Sequence, residues 1–399
     1  MLRARKKARR GPEKKTEAST VCPTKRLRAF RAVLGDTGDG KHWFSSTKQL
    51  QLASVHFCVE CRNVRRQHLR VDDDTPGWLL GAAGVSLRAA DRTFRSRVPR
   101  LRAREVTWKR SSAALLKKPL FALAEAESMT FGWRFDDGPE AVIWPRRLGK
   151  VVLGERLYHA INCISWPESL RRLTLGCDFN QPIAGIRWPA SLKQLTLCGF
   201  NQSVQCVQWP SSLQQLTFGL FFNQPIDADV TWPESLQQLT FGTDFNQVIV
   251  GVTWPASLER LRFGNKFDRD IEGVEWPASL QHLTFGKNFN RTIESVAWPS
   301  TLRKLTLGLR FNRALGSVAC PSSLTHLTLG RKFNQPLHAI GTWVPGLVEL
   351  VLLFERRRYS HSLSGVQWPT GLQTLTLRKS WEAADLALPR GLRLIYLTP

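Results

Sequence analysis

The 399-residue chain lacks any run of 18 or more apolar residues, so the sequence offers no segment that would cross a bilayer as a helix. Acidic residues are scarce: 32 Asp and Glu face 57 Lys and Arg, for a formal net charge of +25. Tyrosine is also rare, with 3 residues against 15 Trp. The 8 Cys residues show no framework spacing. The basic start has no apolar stretch behind it, which excludes a secretory signal and with it a disulfide scaffold. Reduced thiols in an intracellular compartment, cytoplasmic or nuclear, are therefore expected, including Cys177 and Cys198 on neighbouring turns of the repeat described next. Catalytic constellations are missing as well. His282, His326 and His338 are isolated, and no Ser-His-Asp or Cys-His set follows from spacing. The sequence points away from an enzyme and calls for no cofactor or metal.

What is present divides the chain in two. Lys and Arg outnumber Asp and Glu by 29 to 10 up to residue 122, whereas the remainder holds 28 against 22. Most of the Trp residues fall in that remainder, where Pro recurs at Pro145, Pro167, Pro189, Pro210, Pro233, Pro255, Pro277, Pro299, Pro321, Pro345 and Pro369, at spacings of 21 to 24 residues. The unit reads W-P-x-S-L-x-x-L-T-F/L-G-x-x-F-N-Q-P-I. A fixed period of this length is the signature of a solenoid.

In the copy starting at Pro167 the apolar positions include Leu170, Leu173, Leu175, Phe179, Ile183 and Ile186. Leu-Thr-Leu alternation makes a short strand with Leu173 and Leu175 inward and Thr174 outward. The arc from Asn180 to Pro189 is too short and too restricted by proline for a stable helix. The recurrent Asn (Asn180, Asn201, Asn223, Asn246, Asn290, Asn312, Asn334) can satisfy backbone groups at the bend between coils. Gly at the strand end (Gly176, Gly219, Gly242, Gly264, Gly286, Gly308, Gly330) suits a positive φ there. The Trp column reads as a core or edge spine, with a platform for stacking sugars or nucleobases as the alternative.

These residues carry a resemblance. Phe179-Asn180-x-Pro182-Ile183 and Phe222-Asn223-x-Pro225-Ile226, each in phase with P-x-S-L-x-x-L-x-F/L-G, are similar to the FNIP repeat family of leucine-rich-repeat-like tandem arrays. The residue after Asn is Gln or Arg here, and the Pro is lost at Ser203, Val248, Asp270, Thr292 and Ala314. The resemblance implies a repeat solenoid over about residue 123 to the end, mainly β with one parallel sheet of short strands and little helix, in about twelve 22-residue coils. It implies protein binding, and no catalytic residues carry over.

The basic first third is expected to comprise a disordered tail (residues 1–31) and a basic, helical region or cap (residues 32–122). Arg3, Arg5, Lys6, Lys7, Arg9 and Arg10 form a cluster suited to nuclear import or contact with polyanions. Gly35 to Lys41 fits a phosphate-loop pattern, but His42 stands where Ser or Thr must meet magnesium, so a flexible turn is the better reading. His56, Cys58, Cys61 and His68 are zinc-ligand types, but the last spacing matches no zinc finger, and a basic amphipathic helix is favoured. Residues 78–98 faintly resemble the latter part of an F-box, with a helical cap on the solenoid as the simpler account.

Three functions follow as expectations. The first is a protein-interaction scaffold, the second a ubiquitin-ligase adaptor acting through residues 78–98, and the third a nucleic-acid-associated protein using the basic head. A site is expected on the outward strand positions, where Gln gives way to Arg260, Arg262, His282, Lys304 and His326. This basic stripe on four successive coils should take an acidic or phosphorylated peptide.

Overall fold

The computed structural model describes residues 68–71, 104–109, 125–133, 135, 139, 142–316, 318–381, 386 and 388–397. They belong to one compact unit, Gln67–Leu87 with Arg102–Pro399. The N-terminal basic cluster, His56, Cys58, Cys61, and the stretches 35–41 and 78–98 lie outside the described residues.

Alternating apolar and polar residues build the sheet. Its strands are β1 (His68–Val71), β2 (Glu105–Trp108), β3 (Ser128–Phe131), β4 (Lys150–Val152), β5 (Arg172–Leu175), β6 (Gln194–Leu197), β7 (Gln215–Phe218) and β8 (Gln238–Thr240). They are followed by β9 (Arg260–Arg262), β10 (His282–Thr284), β11 (Lys304–Thr306), β12 (His326–Leu329), β13 (Glu349–Leu352), β14 (Thr374–Arg378) and β15 (Arg393–Leu397). All fifteen pair in parallel and in sequence order. The result is a parallel β-solenoid of about a dozen turns with almost no helix; among the described residues the one α-helical turn is α1 (Ile340–Trp343).

The strand phase agrees with the sequence reading. Leu173 and Leu175 are buried and Thr174 is half-buried between them. Two strands precede residue 123, where a helical region was expected. Glu105-Val106-Thr107-Trp108 shows the same alternation, with Val106 and Trp108 buried, and it pairs with β3 in register. No Trp-Pro marks that coil, so it escapes the period.

Behind the sheet, phenylalanine fills the turns. Phe222, Phe245, Phe267, Phe289, Phe311 and Phe333 are at most 1% exposed. Successive rings in this column lie 6.0–6.2 Å apart and are tilted by 5–12°. A centroid distance near 6 Å across coils spaced by about 4.8 Å is an offset stack, the arrangement that ring quadrupoles favour.

Polar columns run up both ends of each strand. At the start, the Ser of P-x-S-L donates to the Leu carbonyl of the preceding coil: Ser191 to Leu170 (2.7 Å), Ser212 to Leu192 (2.8 Å), Ser235 to Leu213 (2.8 Å) and Ser279 to Leu258 (2.8 Å). Thr301 takes the same place on Leu280 at 2.9 Å. This column recurs in the sequence motif but receives no role from periodicity alone.

At the far bend the Asn column acts through its oxygen. The N–H of Asn201 donates to Asn180 Oδ1 (2.8 Å), that of Asn223 to Asn201 Oδ1 (2.9 Å) and that of Asn246 to Asn223 Oδ1 (2.8 Å). The chain continues through Asp268, whose N–H donates to Asn246 Oδ1 and whose own Oδ1 accepts from Asn290 N–H. Only acceptance is demanded of the side chain at these steps, so a carboxylate serves as well. The residue after Asn completes the accounting. Gln247 donates to the Asn223 carbonyl at 2.8 Å, Arg291 to that of Asp268 at 3.0 Å and Arg313 to that of Asn290 at 2.9 Å. Gln or Arg therefore replaces an apolar residue here because its side chain reaches back one coil.

The strand-end glycines serve close approach rather than positive φ. A Cβ on Gly242 would lie 1.4 Å from the Gly219 carbonyl oxygen, and one on Gly264 1.5 Å from that of Gly242. Positive φ occurs instead at Gly185, Gly251, Gly273 and Gly391, and at one non-glycine, Cys206.

Replacing Asn246 by Ala strands the Asp268 N–H and should destabilise the array by about 1–3 kcal/mol. Asn246→Asp should lose much less, since Asp268 does the same work natively. Urea unfolding of both variants checks this; an Asp variant as damaged as the Ala variant would contradict the acceptor-only role.

Candidate partner-binding site

The ladder register brings the predicted stripe together. Arg260 pairs with His282, His282 with Lys304, and Lys304 with His326, so the four side chains form one row across β9 to β12. Arg262 stands two residues along β9, in register with Thr284. The Leu between is buried in every strand, while Arg260, Arg262 and Lys304 are exposed. Inward Leu anchors the strand, and the same pleat turns each flanking residue outward.

Arg260, Arg262 and Lys304 form no salt bridge among the described residues. His326 Nε2 lies 3.4 Å from Glu349 Oε2, an ion pair only when the ring is protonated, and its Nδ1 lies 2.8 Å from Thr325 Oγ1. Glu349 on β13 therefore closes the stripe, a partner that the sequence reading missed because the 24-residue spacing from Pro321 to Pro345 hides the register of β13. His282 is held below the ordinary imidazole pKa by partial burial first, and then by Arg260, Lys304 and His326; Glu259 opposes them. Near neutral pH it is an uncharged donor and acceptor between two cations.

A shallow groove of about 410 Å³ opens beside this row at the ends of β6 to β9. Thr196, Thr217, Thr240, Arg262, Cys177 and Cys198 are among its lining residues. On its margin the 23-residue spacing from Pro210 to Pro233 leaves Leu220 and Phe221 55% and 51% exposed.

The Trp column is not an open platform. Trp166, Trp232 and Trp254 are at most 9% exposed, and the indoles of Trp144 and Trp166, Trp209 and Trp232, and Trp276 and Trp298 stack on each other at 5.7–6.5 Å. In these three pairs one face of each ring is covered by the neighbouring indole. Among the described residues no three His, Cys, Asp or Glu side chains cluster as metal ligands, and no helix is long and apolar enough to cross a membrane.

Residues 222–266 and 267–310 each match the FNIP Repeat family. Residues 222–310 thus carry FNIP repeats. The chain is also similar to the solved structure of CroV588, described as a novel circular leucine-rich-repeat protein. Identity is 34% over 73% of this chain and 42% of that one, with a TM-score of 0.59. It thus spans well under half the length of CroV588. An internalin from Listeria monocytogenes shares 15% identity over 71% of this chain and 92% of its own, with a TM-score of 0.45. No curated protein matches the chain.

Because the folded pKa of His282 is depressed, the unfolded chain takes up its proton more readily. The His282 contribution to stability is full above the unfolded value of about 6.5 and declines as pH falls through it, levelling off below the folded value. His282→Gln should therefore flatten the loss of melting temperature between neutral pH and pH 5 relative to the parent. Parallel melting curves for the two chains would refute this contribution.

Proposed function

We propose that this FNIP chain is a non-catalytic, intracellular protein-binding scaffold whose strand face from β9 to β12 takes an acidic or phosphorylated peptide. The observation that carries this reading is the row Arg260, His282 and Lys304 in direct register, with no carboxylate paired to its two permanent cations. Like charges two strands apart, about 9.6 Å, repel each other weakly, a small cost to the fold. An anionic ligand converts that cost into attraction, and the structural demands of each coil are met by the buried Leu, Phe, Ser and Asn positions instead. Extended peptides suit a row of evenly spaced side chains, because their own residues advance by about 3.3 Å. The leucine-rich-repeat-like fold supports protein partners in general. Roles in ubiquitin transfer, nuclear import or nucleic-acid contact would draw on residues outside those described, and no observation favours them over the strand face.

The test uses the full chain and a panel of fluorescent peptides, acidic, phosphorylated and neutral. Arg260→Glu combined with Lys304→Glu should weaken binding of the anionic peptides at least tenfold. Lys287→Glu with Arg310→Glu is the comparison of equal charge, since both residues are exposed on turns beyond the strands. Arg291 and Arg313 are unsuitable for that purpose, being bonded into the Asn column. Equal losses from the two double variants would reduce the effect to net charge and remove the site.

A further inference from the structure

One coil breaks the period at the place where two cysteines meet. Phe179 and Phe200 are 21 residues apart, whereas Phe245, Phe267, Phe289, Phe311 and Phe333 follow at 22. The lost residue falls between strand and Phe: Leu175-Gly-Cys-Asp-Phe in one coil becomes Leu197-Cys-Gly-Phe in the next. Cys198 thus occupies the strand-end place that neighbouring coils reserve for Gly. There a Cβ on Gly176 would lie 1.9 Å from the Gly154 oxygen, and one on Gly219 1.7 Å from the Cys198 oxygen. The shortened turn is what admits a side chain.

That side chain is turned against the preceding coil. Cys198 N–H donates to the Leu175 carbonyl at 3.1 Å, fixing its backbone one step above the Gly176–Cys177 turn. Burial first, and then the neighbouring Cys177, push the Cys198 thiol up. Cys177 is exposed and Cys198 half-buried, both are free thiols, and both line the groove described above. The register sets Cys198 beside Gly176 and Cys177 beside Gly199, so the two cysteines are diagonal neighbours on successive coils; a coil spacing of about 4.8 Å and an advance of about 3.3 Å per residue put their Cα atoms about 5.8 Å apart, within the range of about 4.4–6.8 Å that a disulfide needs.

We infer that Cys177 and Cys198 are a modification site: a dithiol that closes reversibly to a disulfide and staples two successive coils at the lip of the groove. The oxidant is a low-molecular-weight disulfide such as oxidised glutathione. Cys177, the more exposed thiol, loses its proton and its sulfur attacks the reagent S–S bond, releasing one reagent thiol that takes up that proton. The sulfur of Cys198 then displaces the second reagent thiol, again with transfer of its proton. Two protein thiols give up two electrons and two protons to form one S–S bond, and one reagent disulfide becomes two thiols.

The inference stands apart from the peptide site and can be tested without a partner. The full chain is equilibrated in glutathione buffers of increasing oxidised fraction, quenched in acid and alkylated. Chymotryptic mapping then separates Cys198 from Cys206 by cleavage after Phe200. The expected result is a linked Cys177–Cys198 peptide that rises with oxidised glutathione and disappears under dithiothreitol, while exposed Cys163 and Cys206 carry glutathione singly. In Cys177→Ser the linked species should vanish and Cys198, half-buried, should stay largely alkylated. Glutathione trapped on Cys177 with Cys198 unlinked at every ratio would overturn the inference, as would Cys177 linked to a different cysteine.

Discussion

Everything in this array depends on one coil lying against the next at the spacing of paired strands, about 4.8 Å. That distance leaves no room for a side chain where strand ends stack on strand ends, as the Gly242 approach to the Gly219 carbonyl shows. It also fixes what polar side chains can do. A Ser hydroxyl at the strand start and an Asn oxygen at the far bend each reach one coil along, where the regular ladder has stopped. Buried peptide groups outside a sheet are costly unless paired. The two columns supply those partners wherever the coil turns, and the Phe stack fills the volume they enclose.

The same constraint sorts positions into those that must repeat and those that need not. Inward Leu, the Ser and Asn columns and the strand-end Gly all contact the next coil. The first and third residues of each strand face outward from the coil interior, and at the first the residues change from Gln194, Gln215 and Gln238 to Arg260, His282 and Lys304. Variation along that outward row leaves the buried contacts between coils unchanged.

The strand phase was legible because Leu-Thr-Leu alternation has a single solution, and stacking followed from the 22-residue period. Other features depend on what a coil meets, which a period cannot report. Gly at the strand end reads equally well as positive φ or as close approach, and only the distance to the neighbouring carbonyl decides. The Asn amide offers both donor and acceptor in sequence, yet the bend uses the oxygen, which is why Asp268 fits. The register of β9 to β12 sets the residues of the candidate stripe side by side, as strand phase implies, but the His326 contact with Glu349 depends on the register of an irregular coil. β1 and β2 lack Trp-Pro and so lay outside the pattern, although Val106 and Trp108 keep its alternation.

His282 makes the charge row tolerable. A third full cation between Arg260 and Lys304 would set three like charges on adjacent strands, and the depressed pKa of the imidazole avoids this near neutral pH. The neutral ring still offers a donor and an acceptor at the centre of the row. An anion laid across it would favour the protonated form, so capture of such a ligand takes up a proton and strengthens on mild acidification, whereas the empty row resists the same proton. The sequence order Arg, His, Lys on successive strands therefore keeps two permanent cations two strands apart with a neutral ring between them.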